Sequence, residues 1–342
     1  MKNTHYYRDQ WESWPFPVIK IPSKLNPFEN DGVELFAATA SHLPYENIKF
    51  YGVLGLLNGA EKCGALDGTH TLVEATSGNT GIVLAGMAKA FGISHVKLVV
   101  APDLPDGKRY PLILAGADII APHENMSAIA TARALGGGGW KPDNWQHDNG
   151  VLNLDQYANP NGITLYTDFV APKILGQMDH APTVFVAGIG TGGTLIGVGN
   201  GLRQRIKSMA ITTVGVLLSP GHEIPGVRDK NRMKEITLPW ETSADHIVEM
   251  ETRSSYLASL WFNWIMGITP GPSSGFAYLG ALQFLKNQKK SDTLDSVRAK
   301  DGKIRVVILF PDGHRPYGDR FMANLPFEWT RPSTAPLPWA LL

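Results

Sequence analysis

Short apolar runs rich in β-branched residues recur along the chain, at 71–73, 96–100, 118–120, 184–187, 213–218 and 304–310, with glycine-bearing turns and helix-like stretches between them. A strand that is apolar on both faces must be covered on both faces, which a parallel sheet flanked by crossover helices achieves. The alternation therefore predicts an α/β protein with buried, mainly parallel twisted sheets. Segments 81–91, 110–115, 127–135, 195–207 and 274–287 carry alanine, leucine and aromatic residues at helical spacing and are the expected crossover helices. A length of 342 residues with 43% hydrophobic content can bury two moderate cores, so two domains are expected.

Charge narrows the partners. Thirty-one basic residues balance 31 acidic ones, so neither nucleic acid nor an anionic membrane is favoured and a small molecule is the expected partner. Cys63 is the single cysteine; it cannot form an internal disulfide and fits a reducing compartment, which makes the cytoplasm the expected location. The start, MKNTHYYRDQWESWPFP, holds no apolar stretch resembling a signal core, and no later run reaches membrane-spanning length, so a soluble protein is expected. No HExxH pattern or cysteine cluster offers a metal site, a Walker-type GK[ST] is absent, and no Gly-x-Ser-x-Gly elbow appears. Gly136–Gly139, four glycines before Trp140, read as a flexible surface loop. The proline-rich tail 332–342 ends in Trp339-Ala340-Leu341-Leu342, an apolar terminus expected to dock on the body or on a second subunit.

Two loops carry chemistry. Glu74-Ala75-Thr76-Ser77-Gly78-Asn79-Thr80-Gly81 lies directly after a short strand and directly before a helix. Small hydroxyl and amide side chains with the unpaired N–H groups of a helix start make a receptor for a carboxylate or phosphate, although any one of them alone could be a simple cap. Gly188-Ile189-Gly190-Thr191-Gly192-Gly193-Thr194 stands at a second strand–helix junction. Its glycines let backbone approach an anion, and its threonines add hydroxyl donors. Gly188, Gly190 and Gly193 also match the dinucleotide pattern, but that pattern requires an acid on the ribose about 20 residues later. The following strand ends at Ser219 and the next acid is Glu223, which argues for a lone phosphate.

TSGNTG, then GTGGT, then a late Ser-Ser-Gly, in that order, resembles the cysteine-synthase family of pyridoxal-phosphate enzymes over roughly residues 33–321. The resemblance implies the tryptophan-synthase β-like fold (fold type II). It implies a smaller substrate-binding domain at 43–159, inserted into a larger cofactor-phosphate-binding domain of 1–42 and 160–342. Counting back without gaps from Ala60-Glu61-Lys62-Cys63-Gly64, the family's Schiff-base lysine falls on Lys49. Asn79 corresponds to the amide at the cofactor's phenolic oxygen, and Gly190, Thr191, Gly192, Gly193 and Thr194 to the phosphate loop. Thr76, Ser77, Gly78, Thr80 and Gln156 correspond to the residues that receive the substrate carboxylate. Ser273-Ser274-Gly275 resembles the segment facing the active-site region and could equally be a helix cap.

The turn after the last strand departs from the family. It reads Pro311-Asp312-Gly313-His314, with Gly313 where a serine meets the pyridine nitrogen in many members. That contact passes to Asp312, to His314, to water or to nothing. Residues 224–229, Ile-Pro-Gly-Val-Arg-Asp, replace a glycine-rich substrate-side loop, so Arg228 is a candidate for an anionic group on donor or nucleophile; its alternative is a surface arginine paired with Asp229 or Glu223. The resemblance implies β-replacement on an O-activated serine through an aminoacrylate, with O-phosphoserine a candidate donor and a small nucleophile as second substrate. It also implies a homodimer. A serine or threonine dehydratase-type lyase, and a non-catalytic relative acting as a binding partner, are the alternatives.

Overall fold

A computed structural model describes residues 10–342 apart from Ser77, Asp103, Pro105 and Ser208. Its strands, in chain order, are β1 (Val18–Lys20), β2 (Val33–Thr39), β3 (Thr71–Ala75), β4 (His95–Val99), β5 (Asp118–Ile120), β6 (Val151–Asn153), β7 (Val184–Gly188), β8 (Thr212–Leu218), β9 (His246–Met250) and β10 (Ile304–Phe310). They form two sheets in two structural units.

The first unit is built mainly from Lys49–Leu165, with Glu235–Leu238 added. Its four strands run β5-β4-β3-β6, every neighbouring pair parallel. All five residues of β3 are buried, as a central parallel strand covered on both faces must be. Helices Lys49–Lys62, Asn79–Ala88, Asp106–Leu114 and Ala128–Leu135 belong to this unit. Ser127 caps the last of these, its hydroxyl accepting from the Ala130 amide at 3.1 Å.

The glycine run 136–139 is a surface turn, with Gly137 and Gly138 exposed. Gly137, Gly138 and Gly139 all hold positive φ, between 78° and 89°, which only glycine adopts without strain. A Cβ on Gly139 would stand 2.7 Å from Asp155 Oδ2, and one on Gly136 would stand 2.4 Å from the Asn153 amide nitrogen. Gly136 and Gly139 pack closely against Asn153 and Asp155, at and just past the end of β6.

The second unit comprises Pro15–Ile48, Tyr166–Lys234 and Pro239–Leu342. Its sheet runs β1-β2-β10-β7-β8-β9, parallel throughout except for the antiparallel β1–β2 edge. All seven residues of β10 are buried. Helices Gly193–Arg205, Thr252–Met266 and Pro272–Lys290 belong to this unit, and Phe262 packs edge-on against both Tyr278 and Phe310. The apolar tail docks on this same body: Trp261 Nε1 donates to the Pro336 carbonyl at 2.8 Å, and Leu337, Trp339 and Leu342 pack against its core. Among the described residues no helix is long and apolar enough to cross a membrane.

Candidate active site

In the first unit the loop after β3 is organised by its own hydroxyls. Thr76 Oγ1 accepts from the Gly78 amide at 3.1 Å and from the Gly81 amide at 3.3 Å, which ties the loop to the first turn of helix Asn79–Ala88. Gly78, at φ 147°, precedes that helix, and Asn79 and Thr80 are its first two residues. Thr80 donates its hydroxyl hydrogen to Gln156 Oε1 at 2.8 Å across 76 residues of sequence. Gln156 Nε2 in turn donates to the Ala75 carbonyl at 2.7 Å, and the Tyr157 hydroxyl donates to the same carbonyl at 3.1 Å. Thr76, Thr80 and Gln156 are all nearly buried. The result is a buried, preorganised hydrogen-bonded framework at a helix N-terminus, whose backbone N–H groups suit a carboxylate. Ser77 lies outside the described residues.

Lys49 opens the helix Lys49–Lys62, in which Phe50 through Leu57 are all buried. Two further ionisable residues, Lys108 and Glu74, lie beside the loop that follows β3. Lys108 is 8% exposed on helix Asp106–Leu114, its Nζ 3.9 Å from where a Cβ on Gly78 would stand. Glu74, 1% exposed, sits on β3 immediately before the loop. Its only sequence signal is a lone acid in an apolar strand. Burial first, and the Asp155 charge second, push the Glu74 carboxyl up to about 8. A separate cavity of about 670 Å³ in this unit is lined by Lys62, Cys63, Trp140, Trp145 and His147, and none of the candidate site residues borders it.

In the second unit the glycine loop follows β7 and opens the thirteen-residue helix Gly193–Arg205. Gly192 precedes this helix in the left-handed region at φ 85°, and Thr191 Oγ1 accepts from the Gly193 amide at 3.3 Å. A Cβ on Gly190 would stand 2.2 Å from the Gly226 carbonyl oxygen, so the strand end and the 224–229 loop touch backbone to backbone. Arg228 is half-buried in that loop and donates through Nη1 to the Arg232 carbonyl at 2.9 Å, while Asp229 pairs with Arg232 at 3.0 Å.

Past β10, Asp312 is buried at 4% exposure. Its carboxylate accepts hydrogen bonds from the Tyr317 hydroxyl and, at 3.4 Å, from the Ser273 hydroxyl. Ser273 is therefore an Asp312 partner. The N-cap of helix Pro272–Lys290 is Gly271, with no side-chain cap, while the Ser274 hydroxyl is buried without a hydrogen-bond partner. His314 turns to Thr269, whose carbonyl accepts from the His314 amide at 2.9 Å and lies 3.3 Å from its Nδ1. Around Gly313 there is room: a Cβ would meet nothing closer than 3.7 Å. Among the described residues no cluster of His, Cys, Asp or Glu could hold a metal ion.

Residues 14–311 match the family described as pyridoxal-phosphate dependent enzyme. Cysteine synthase B of Salmonella typhimurium is 29% identical over 305 residues, covering 87% of this chain and 90% of its own. Cysteine synthase B of Escherichia coli is 30% identical over 273 residues, covering 79% of this chain and 85% of its own. Among solved structures, a hydrogen sulfide-producing enzyme from Fusobacterium nucleatum aligns with a TM-score of 0.73 at 21% identity, covering 93% of this chain and 99% of its own. O-ureido-L-serine synthase aligns at 0.72 and 21%, covering 91% and 97%. At that identity the two structures speak for the fold, which is that of fold type II pyridoxal-phosphate enzymes.

The residues present suit this cofactor. A lysine heads a buried helix, and a glycine cradle too tight for a Cβ carries threonine hydroxyls beside a helix N-terminus, as a phosphate requires. A buried carboxylate is held by two hydroxyls at the end of β10. The chain belongs to the family of pyridoxal-phosphate dependent enzymes, and pyridoxal 5'-phosphate is its cofactor.

Proposed function

We propose that the chain catalyses β-replacement on an O-activated serine, exchanging the β-substituent for a small nucleophile. The observation that carries this reading is the buried Thr76–Thr80–Gln156 network, which braces a helix N-terminus as a receptor for an α-carboxylate, in a chain related to cysteine synthases over most of its length. Pyridoxal phosphate, when bound, supplies the electron sink for the pair left at Cα. Lys49 holds the cofactor and then takes the Cα proton through its amine. Asn79 would hold the cofactor's phenolic oxygen, and Gly190 to Thr194 its phosphate. Asp312, fixed by Tyr317 and Ser273, would partner the pyridine nitrogen, since Gly313 supplies no hydroxyl for it. Ser77, Gly78 and Thr80 complete the carboxylate receptor with Thr76 and Gln156.

O-phosphoserine is the donor we favour over O-acetylserine. Arg228 supports it: the loop follows β8 at the carboxyl end of a parallel sheet, where ligands of such folds bind, and a guanidinium suits a phosphate. A homodimer in the cytoplasm is the accompanying expectation, and sedimentation checks the assembly. The deciding experiment mixes purified holoenzyme with serine, O-acetylserine or O-phosphoserine, with and without sulfide, and follows the visible spectrum and the products. A new amino acid formed from sulfide supports the proposal. Pyruvate and ammonia from every donor instead assign a dehydratase-type lyase, and no spectral response to any donor assigns a non-catalytic relative.

A further inference from the structure

Behind the carboxylate loop lies a carboxyl group for which the proposed reaction has no use. Glu74 Oε1 accepts from the Ala75 amide at 3.1 Å and Oε2 from the Gln156 amide at 3.4 Å. The Gln156 side chain has one allowed orientation, because the Ala75 carbonyl can only accept and so must face Nε2. Its Oε1 is then committed to Thr80. The second Nε2 hydrogen is the one with which Gln156 can meet a ligand carboxylate. The backbone of Gln156 is thus held by Glu74, and its amide orders Thr80.

We propose that Glu74 is a positioning residue for carboxylate binding: it anchors Gln156, and a negative charge on it weakens the loop's hold on a substrate carboxylate. This rests on reading Thr76–Thr80 and Gln156 as the carboxylate receptor. The charged groups facing Glu74 are Asp155 and Arg133, with Glu235 acting on Arg133. Arg133 grips Asp155 bidentately, Nε to Oδ2 at 2.8 Å and Nη2 to Oδ1 at 3.0 Å, so the two charges largely offset each other. Burial is then the main influence on Glu74, which is neutral at pH 7 and ionises near pH 8, against the opposing pull of the two amide donors and Arg133. A buried charge arriving about 10 Å from an anion site weakens binding by roughly threefold to tenfold at an effective dielectric of about 25–50, between those of protein and water.

The test titrates holoenzyme with L-serine by visible absorbance from about pH 6.5 to about pH 9.5. Wild type is expected to lose affinity through a step near pH 8, about threefold to tenfold beyond any change in Glu74→Gln. The ligand's own amino group titrates alike in both and cancels. Asp155→Asn removes a charge that holds the Glu74 proton on, so its step should move to lower pH, which loss of structure does not produce. Superimposable profiles for wild type and Glu74→Gln overturn the proposal, as does an unmoved step in Asp155→Asn; the latter decides alone if Glu74→Gln fails to fold. Thr80→Val and Gln156→Ala at pH 7 separate the two levels. If neither weakens L-serine binding, the carboxylate-receptor reading fails. If they weaken it while Glu74→Gln retains the wild-type step, only the role of Glu74 fails.

Discussion

Gly190→Ala should damage the protein through a single methyl group. The added carbon would stand 2.2 Å from the Gly226 carbonyl oxygen and 3.4 Å from its carbon, and ordinary contact requires that oxygen to retreat by about 1 Å. It has little freedom to do so. Two residues on, the Arg228 amide donates to the Ile189 carbonyl at 2.9 Å, the Arg228 carbonyl accepts from Leu218 at 3.0 Å, and the Val227 amide donates to Ile224 at 3.3 Å. Loosening one or two such bonds costs about 0.5–1.5 kcal/mol each, and the residual overpacking roughly 1–3 kcal/mol more. We therefore expect a loss of about 2–4 kcal/mol, a thermal midpoint lower by roughly 5 °C or more, and faster cofactor loss on dialysis. The assay is a melting curve of holoenzyme together with the cofactor absorbance retained after dialysis against buffer. Gly313→Ala is the matched control, since its Cβ meets nothing within 3.7 Å, and it should melt like wild type. If Gly190→Ala matches Gly313→Ala in both measurements, the close backbone approach is not what holds this loop.

Lys49→Ala, stripped of cofactor and reconstituted with pyridoxal phosphate, should lack the wild-type visible band; an unchanged band places the covalent link elsewhere. Asp312→Ala should slow exchange of the substrate Cα hydrogen with solvent while leaving cofactor retention near normal, and Tyr317→Phe should show a weaker form of the same defect because its hydroxyl donates to that carboxylate; unaltered exchange in Asp312→Ala removes it from the pyridine nitrogen. Glu74 also makes stability depend on pH. Its folded value lies above the ordinary 4.5, so its contribution is fully present below that value, declines as pH rises to about 8, and then stays constant. Urea unfolding should show Glu74→Gln gaining roughly 1–4 kcal/mol on wild type between about pH 5 and about pH 8, and a pH-independent gap would mean that Glu74 is ionised throughout.

Strands dominated by β-branched residues were legible in the sequence. The expected run 304–310 is β10, and 118–120 is β5. Four strands escaped: β1, β6 and β9 lie at sheet edges, where polar residues are tolerated, as the exposed His246 and Glu249 of β9 show, while the interior β2, Val-Glu-Leu-Phe-Ala-Ala-Thr, was hidden by its alanines and its glutamate. The helix Thr252–Met266 was hidden by its serines and tryptophans, which form weak helical patterns yet bury Ser254, Ser255, Ser259 and Trp261 here. Glycine content located the surface turn at 136–139, but not its use of three left-handed residues and the close approach at Gly136 and Gly139. The candidate site divides similarly. The motif order identified the loops, but the Thr80–Gln156 bond spans 76 residues and the Asp312–Ser273 bond 39, and only the folded chain brings such pairs together. Gln156 was singled out by resemblance, whereas Glu74 headed the Thr76–Gly81 segment without a role, because its bond to the Gln156 amide spans 82 residues.

The chain leaves the second unit after Ile48 and re-enters it at Tyr166, and the Tyr166 hydroxyl donates to the Ile48 carbonyl at 3.1 Å. Departure and return are stitched at one point, at the head of a π-helical turn, Tyr166–Val170. For the second unit, the whole excursion Lys49–Leu165 is then a closed loop whose entropic burden grows only with the logarithm of its length, about 0.6 kcal/mol for each doubling. Insertions or deletions within the excursion's own surface turns leave that burden nearly constant. The closure entropy that this excursion imposes on the second unit is thereby nearly indifferent to small changes in the length of the segment that bears Lys49 and the carboxylate receptor.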